Sequence, residues 1–194
     1  CWIYLIIKIC YLSIMIQTET TPNPNALKFV SENKFSEIGA KEFQKKDIKP
    51  NTNNLIKNLL EFDGVELVLV SDNFISVKKF ENVEWDSLRP SIISEINDHI
   101  VKNKKPIFLK DSEILEKPKK ESNLIVEEIK KVLDSKIRPA VAKDGGDIKF
   151  ISFQEGTVKV ELKGSCSGCP SSLVTLKNGV QNLLRHYIKE VKNV

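Results

Sequence analysis

The chain carries a single Cys-x-x-Cys pair and no second one. Structural zinc and iron–sulfur clusters both usually take four protein ligands, so one copy of this chain does not spell out a complete site of either kind. Cysteine is scarce elsewhere too, with only Cys1 and Cys10 besides Cys166 and Cys169. A secreted disulfide scaffold needs more cysteines at regular spacings, which leaves a reducing cytosol or organelle matrix. The two histidines, His99 and His186, do not make up the shortfall. His186 falls more than about four helical turns beyond the pair, and His99 falls in a different segment, so both read as ordinary, partly exposed histidines. There is no basic block. The net charge of +4 is dispersed over 30 basic and 26 acidic residues, and such a pattern does not suggest a nucleic-acid partner. No apolar run reaches the ~20 residues that a membrane-spanning helix needs, and no membrane partner is expected.

Methionine occurs once, at Met15. Residues 1–14 are mostly apolar, too short to span a bilayer, and lack both a basic start and a small-residue cleavage site. They read as upstream-translated sequence ahead of a natural start at Met15, and as dispensable. A truncated signal or a lipid anchor on Cys1 are the competing readings.

The 194 residues, 41% apolar and 29% charged, suffice for one medium domain or two small ones. From Met15 the order reads β-β-α-β-β-α over 15–102. Strands are expected at 16–20 and 26–30 about the turn Thr21-Pro22-Asn23-Pro24-Asn25, whose prolines bias their neighbours away from helix. Leu55, Ile56, Leu59 and Leu60 repeat at helical spacing after cap candidates Asn51 to Asn54. Runs 65–70 and 74–77 flank Ser71-Asp72-Asn73 as a hairpin. Leu88, Ile92, Ile96 and Ile100 mark an amphipathic helix with Pro90 in its first turn. Residues 103–121 read as a charged, proline-punctuated, solvated linker.

The segment 122–194 reads α-β-β-α, which makes the chain α+β with two small domains. Ile125, Ile129, Val132, Leu133 and Ile137 form the first stripe, with Ser122 or Asn123 as cap. Asp144-Gly145-Gly146-Asp147 reads as a structural turn. Strands 148–153 and 157–163 follow, the second alternating Val158, Val160 and Leu162 against Lys159, Glu161 and Lys163. After the cysteines, Leu173, Leu176, Val180, Leu183 and Tyr187 line one helix face, and 191–194 begin a short last edge strand.

Gly164-Ser165-Cys166-Ser167-Gly168-Cys169-Pro170 therefore lies between a strand and a helix N-terminus. There the backbone N–H groups and the helix dipole favour thiolate, the form that binds metal or attacks disulfides. Pro170 suits the first helical position. A lone pair at this spacing serves as a redox dithiol, a zinc pair or a cluster pair. The thioredoxin-like reading wants a βαβ setting, whereas a hairpin precedes this pair. Two copies about a two-fold axis would bring two Cys166/Cys169 pairs together into a four-sulfur site. Neither thiol is expected to be needed for core packing. Lys163 reads as a solvated strand lysine that is also able to offset cluster charge.

Arg138-Pro139, then Asp144-Gly145-Gly146-Asp147-Ile148, then the cysteine loop with Ser171-Ser172 and Thr175-Leu176-Lys177-Asn178-Gly179-Val180 together resemble the NifU-like C-terminal domain of Nfu iron–sulfur scaffold proteins. Gln17-Thr18-Glu19 and Thr21-Pro22-Asn23-Pro24-Asn25-Ala26-Leu27-Lys28-Phe29 resemble their N-terminal domain. The resemblance covers Met15 to the C-terminus. It implies a carrier rather than an enzyme, with a [4Fe-4S] cluster shared between two subunits and passed to apo-proteins. It also implies Cys166 and Cys169 as cluster ligands, a homodimer, apo iron–sulfur clients and an upstream assembly machinery as partners. The compartment implied is bacterial cytoplasm, or mitochondrial matrix in a eukaryote. Residues 1–14 have no counterpart in the bacterial form, and the family's final strand is short here. A thioredoxin-like dithiol oxidoreductase is the alternative function.

Overall fold

The computed structural model describes residues 16–110, 124–167 and 170–194. The expectations that fall on the leader, on Met15, on the caps Ser122 and Asn123, on most of the linker and on Cys169 lie outside the described residues. The chain divides into two compact units, Cys1–Lys110 and Asp111–Val194.

In the first unit, β1 (Gln17–Thr20), β2 (Ala26–Val30), β3 (Lys41–Phe43), β4 (Val65–Val70) and β5 (Phe74–Lys79) form one sheet in the order β1-β2-β5-β4-β3, with every pairing antiparallel. Helices α1 (Asn54–Glu61) and α2 (Trp85–Lys102) supply Leu55, Ile56, Leu59, Leu60, Leu88, Ile92, Ile96 and Ile100 to a core with Leu27, Phe29, Val68, Val70, Ile75 and Val77. Each such side chain stabilises the fold by about 1.5–3 kcal/mol through burial. Asn53 caps α1, its Oδ1 accepting from the Leu55 N–H at 2.9 Å.

The turn over residues 21–25 is where the sequence places it, and polar bonds hold it. Asn23 Oδ1 accepts from the Asn25 N–H at 3.0 Å, and Lys79 Nζ donates to Asn25 Oδ1 at 3.0 Å. Trp85 Nε1 donates to the Pro24 carbonyl at 3.0 Å. A buried ammonium is tolerated here because it has these acceptors: Lys79 is 6% exposed and also reaches the Phe80 carbonyl.

Three expectations change. Helix α2 begins at Trp85, so Pro90 stands in the second turn rather than the first, where it denies the Asp86 carbonyl its usual partner. Strand β3 is not anticipated, because Lys41-Glu42-Phe43 has no period to read. It forms where Phe43 stacks on Phe108 at 5.9 Å. That contact also corrects the linker: 103–110 is not wholly solvated. Phe108 bridges to Ser36, the Ile107 N–H donates to the Phe35 carbonyl at 2.8 Å, and both side chains pack on the core.

In the second unit, α3 (Leu124–Val132) runs through a π-helical turn, Leu133–Ile137, into α4 (Arg138–Lys143). The buried positions Ile129, Leu133, Ile137 and Val141 are spaced by four. On a 3.6-residue helix that spacing advances about 40° each step, and the wider turn brings the stripe back into line. It occurs beside Pro139, whose missing N–H cannot bond the Ser135 carbonyl. Strands β6 (Gly146–Gln154) and β7 (Thr157–Gly164) form an antiparallel hairpin. Glu155 and Gly156 turn it, with φ 50° and 81°. Helix α5 (Pro170–Tyr187) follows. Its buried line passes through Val180 and Leu184 to Ile188 beyond the helix, and Tyr187, expected inside, is 52% exposed. The expected last strand is a single parallel bridge, Thr157 to Asn193.

Candidate functional site

Three glycines and a serine build the seat of Cys166. Gly145 (φ 76°) and Gly164 (φ 69°) take left-handed conformations that side chains strain to adopt. Between them Gly146 opens β6 directly opposite Gly164. The Ser165 N–H donates to the Gly145 carbonyl at 3.3 Å, and its hydroxyl donates to the Asp144 carbonyl. The start of the loop is thus stitched to the turn before β6. Ser167 closes the next turn, its N–H and hydroxyl both donating to the Gly164 carbonyl, at 3.1 and 2.8 Å.

Cys166 is 5% exposed and belongs to the core of the second unit, together with Ile129, Leu133, Ile148 and Val180. The expectation that neither thiol takes part in core packing fails here, because a cysteine at the edge of a small core behaves as a small apolar side chain. Its sulfur stands 3.8 Å from the Ser165 hydroxyl. A Cβ placed on Gly146 would lie 2.6 Å from that sulfur and 2.8 Å from the Lys163 carbonyl. Gly146 is therefore a wall of the site, not only part of a turn.

Behind that wall lies a charge clamp. Arg138 donates from Nε to Asp147 Oδ1 at 3.0 Å and from Nη2 to the Ile148 carbonyl at 3.2 Å, while Nη1 pairs with Asp134 at 2.8 Å. Asp147 is 8% exposed, and the half-exposed guanidinium supplies its carboxylate with a charge-assisted hydrogen bond. The clamp ties the first turn of α4 to the strand that holds Gly146. Sequence reading had Arg138 only as part of a motif. Its signal was an arginine nine residues ahead of Asp147, the acidic residue that closes the Asp144-Gly145-Gly146-Asp147 turn.

The remaining candidates disperse. His186 is exposed and meets Tyr187 edge-on at 5.0 Å. His99 belongs to the first unit and lies 3.3 Å from Asn103 Nδ2. Lys163 approaches Glu161 at 4.0 Å. Among the described residues no group of three or more His, Cys, Asp or Glu side chains converges. Cys166 brings a soft sulfur donor to a seat lined by glycine and serine. That chemistry suits a thiolate-held iron–sulfur cargo. Beside it, β7 and α5 leave an open groove of about 500 Å³, bordered by Val160, Leu162, Ser167, Leu176, Lys177 and Val194.

Residues 16–103 match the family described as scaffold protein Nfu/NifU N terminal, and residues 129–194 match the NifU-like domain. The chain is 38% identical to "NFU1 iron-sulfur cluster scaffold homolog, mitochondrial" of Homo sapiens, over 93% of this chain and 71% of the relative. It is 39% identical to "NifU-like protein 4, mitochondrial" of Arabidopsis thaliana, over 94% of this chain and 65% of that protein. The Drosophila persimilis relative of the first name is 41% identical, over 94% of this chain and 64% of its own length. The chain spans just under two thirds of these last two.

Proposed function

Because the chain belongs to the Nfu/NifU scaffold family, we propose that it is a carrier of iron–sulfur clusters, a binding and transfer protein rather than an enzyme. The observation that carries this reading is the seat of Cys166, held by Gly146, Ser165 and the Arg138–Asp147 clamp in the unit that matches the NifU-like domain. Cys166 and Cys169 supply two thiolates per chain. Two copies supply four, the set that a [4Fe-4S] cargo takes. The homodimer follows from that ligand count. The groove of β7 and α5, which begins at Ser167 on the same loop, offers apolar surface beside it.

Transfer is ligand exchange. Client thiolates replace Cys166 and Cys169 on the iron atoms one at a time, the released thiolates recover protons from solvent, and no net oxidation or reduction is needed. The first unit presents no thiol among its described residues, which suits a client-recognising role. Residues 122–194 are proposed to fold, dimerise and load cargo on their own. The relatives' names carry the word mitochondrial, which supports a mitochondrial location over the bacterial cytoplasm.

Anaerobic reconstitution with iron and sulfide tests the reading. The expected result is a brown dimer with about four iron and four sulfide, which loses its colour as an apo-acceptor gains activity. Colourless protein with a readily cycling Cys166–Cys169 disulfide would establish the dithiol oxidoreductase instead, and full loading of a strict monomer would remove the shared site. The antiparallel β6–β7 hairpin ahead of the loop is unlike the βαβ setting of thioredoxin-like dithiols.

A further inference from the structure

The first unit has a cleft of about 650 Å³ where the C-terminal end of α2 meets the segment before β3. Its deepest apolar residues are Phe35, 2% exposed, and Ile100, 9% exposed, and Val101 on its border is 61% exposed. Lys34, Lys104 and Lys105 line it with His99, against a single acidic residue, Glu32. Among the described residues none of these lysines is paired with a carboxylate, although Lys102 beside them is paired with Asp98 at 3.7 Å. Burial pushes the His99 imidazole below its ordinary pKa, against an opposing pull from Glu95. His99 is therefore neutral at pH 7, and the positive character of the cleft comes from the lysines. A smaller cleft of about 200 Å³ shares His99, Asn103, Lys105 and Pro106 and adds the amides Asn53 and Asn54.

Lysines at a helix C-terminus offset its dipole, and by themselves they would be ordinary solvated charge. The arrangement here differs because the lysines ring an apolar floor. An exposed valine and a buried phenylalanine beneath unpaired cations form a surface complementary to acidic residues interleaved with apolar ones. We infer that this cleft docks an extended acidic–apolar segment of the client polypeptide, with carboxylates on Lys34, Lys104 and Lys105 and an aliphatic side chain over Phe35 and Val101. The inference rests on the carrier reading, since only a carrier has a client to hold. It assigns a surface to the recognition role of the first unit.

The test uses the full-length apo chain and a fluorescein-labelled decapeptide alternating glutamate with leucine, compared with peptides alternating glutamate with serine and lysine with leucine. The glutamate–leucine peptide should bind and shift the amide resonances of Phe35, His99 and Val101. Its affinity should fall at least about tenfold in the Lys34→Glu/Lys104→Glu/Lys105→Glu variant. Iron and sulfide loading of that variant should be unchanged, because its substitutions are exposed side chains of the first unit. Equal binding of either control peptide, undiminished binding by the variant, or no binding at all would overturn the assignment. A peptide-independent dimer abolished by the same substitutions would give the cleft to a second copy and overturn it as well. Peptide binding by a chain that loads no cluster would instead sink the carrier reading while leaving the cleft's chemistry intact.

Discussion

Cys166→Ser and Cys169→Ser are each expected to lose the cargo, and Cys166→Ser is expected to lower stability as well. Either change halves the thiolates of a dimer, leaving two where a cluster takes four. Cys166 has a second role because it is 5% exposed among Ile129, Leu133, Ile148 and Val180. A hydroxyl placed there without a full partner costs about 1–3 kcal/mol. Cys166→Ala, which brings no polar atom, should recover part of that loss and still bind no iron. Urea midpoints with iron and sulfide content per chain separate the two roles. Wild-type cluster content in Cys166→Ser would refute the ligand assignment, and an unchanged urea midpoint would refute the packing role.

The second large effect belongs to a residue with no ligand atom at all. Gly146→Ala places a methyl group 2.6 Å from the Cys166 sulfur and 2.8 Å from the Lys163 carbonyl, closer than real Cβ contacts come. One neighbour is backbone in a paired strand and cannot withdraw, so the thiol must. Overpacking of this kind costs about 1–3 kcal/mol. Moving the sulfur also spoils ligand geometry, so the variant should hold its cluster for a much shorter time in a chelator-challenge assay, with a loss of tenfold or more corresponding to ~1.4 kcal/mol. Gly179 provides the contrast, for nothing lies within 4 Å of a Cβ there. Gly179→Ala, inside α5, should keep its cluster and gain about 1 kcal/mol from helix propensity. Should Gly146→Ala load and retain cluster like the parent chain, the glycine is not a wall of the site.

Much of this was legible in the residues. The stripes of α1 and α2, both hairpins and the position of the cysteine loop between a strand and a helix follow from periodicity and turn chemistry, because those features are local. What escaped was tertiary. Lys41-Glu42-Phe43 becomes a strand by pairing with β4, with Phe108 from far along the chain stacked on Phe43, and no local pattern announces either contact. Leu183 packs at the edge of the core as expected, but beyond Val180 the fully buried positions step by four, to Leu184 and Ile188, and leave Tyr187 outside. The serine and glycine neighbours of Cys166 announce a loop and give no sign of burial. Those neighbours are small because the backbone folds closely about the sulfur, and the same closeness buries it.

The register of the two sheets has a consequence for how fast each unit assembles. At the centre of the first sheet Val30 lies opposite Phe74, so a long loop carrying β3, α1 and β4 must close before that pairing forms. The β6–β7 ladder needs only a two-residue turn, from Gln154 to Thr157. Folding slows as contacts become less local. The unit that carries Cys166, although synthesised second, should therefore reach its native state first. Trp85 belongs to the first unit, where it donates to the Pro24 carbonyl, so on refolding its fluorescence should change later than the far-ultraviolet signal gained as the second unit's helices form.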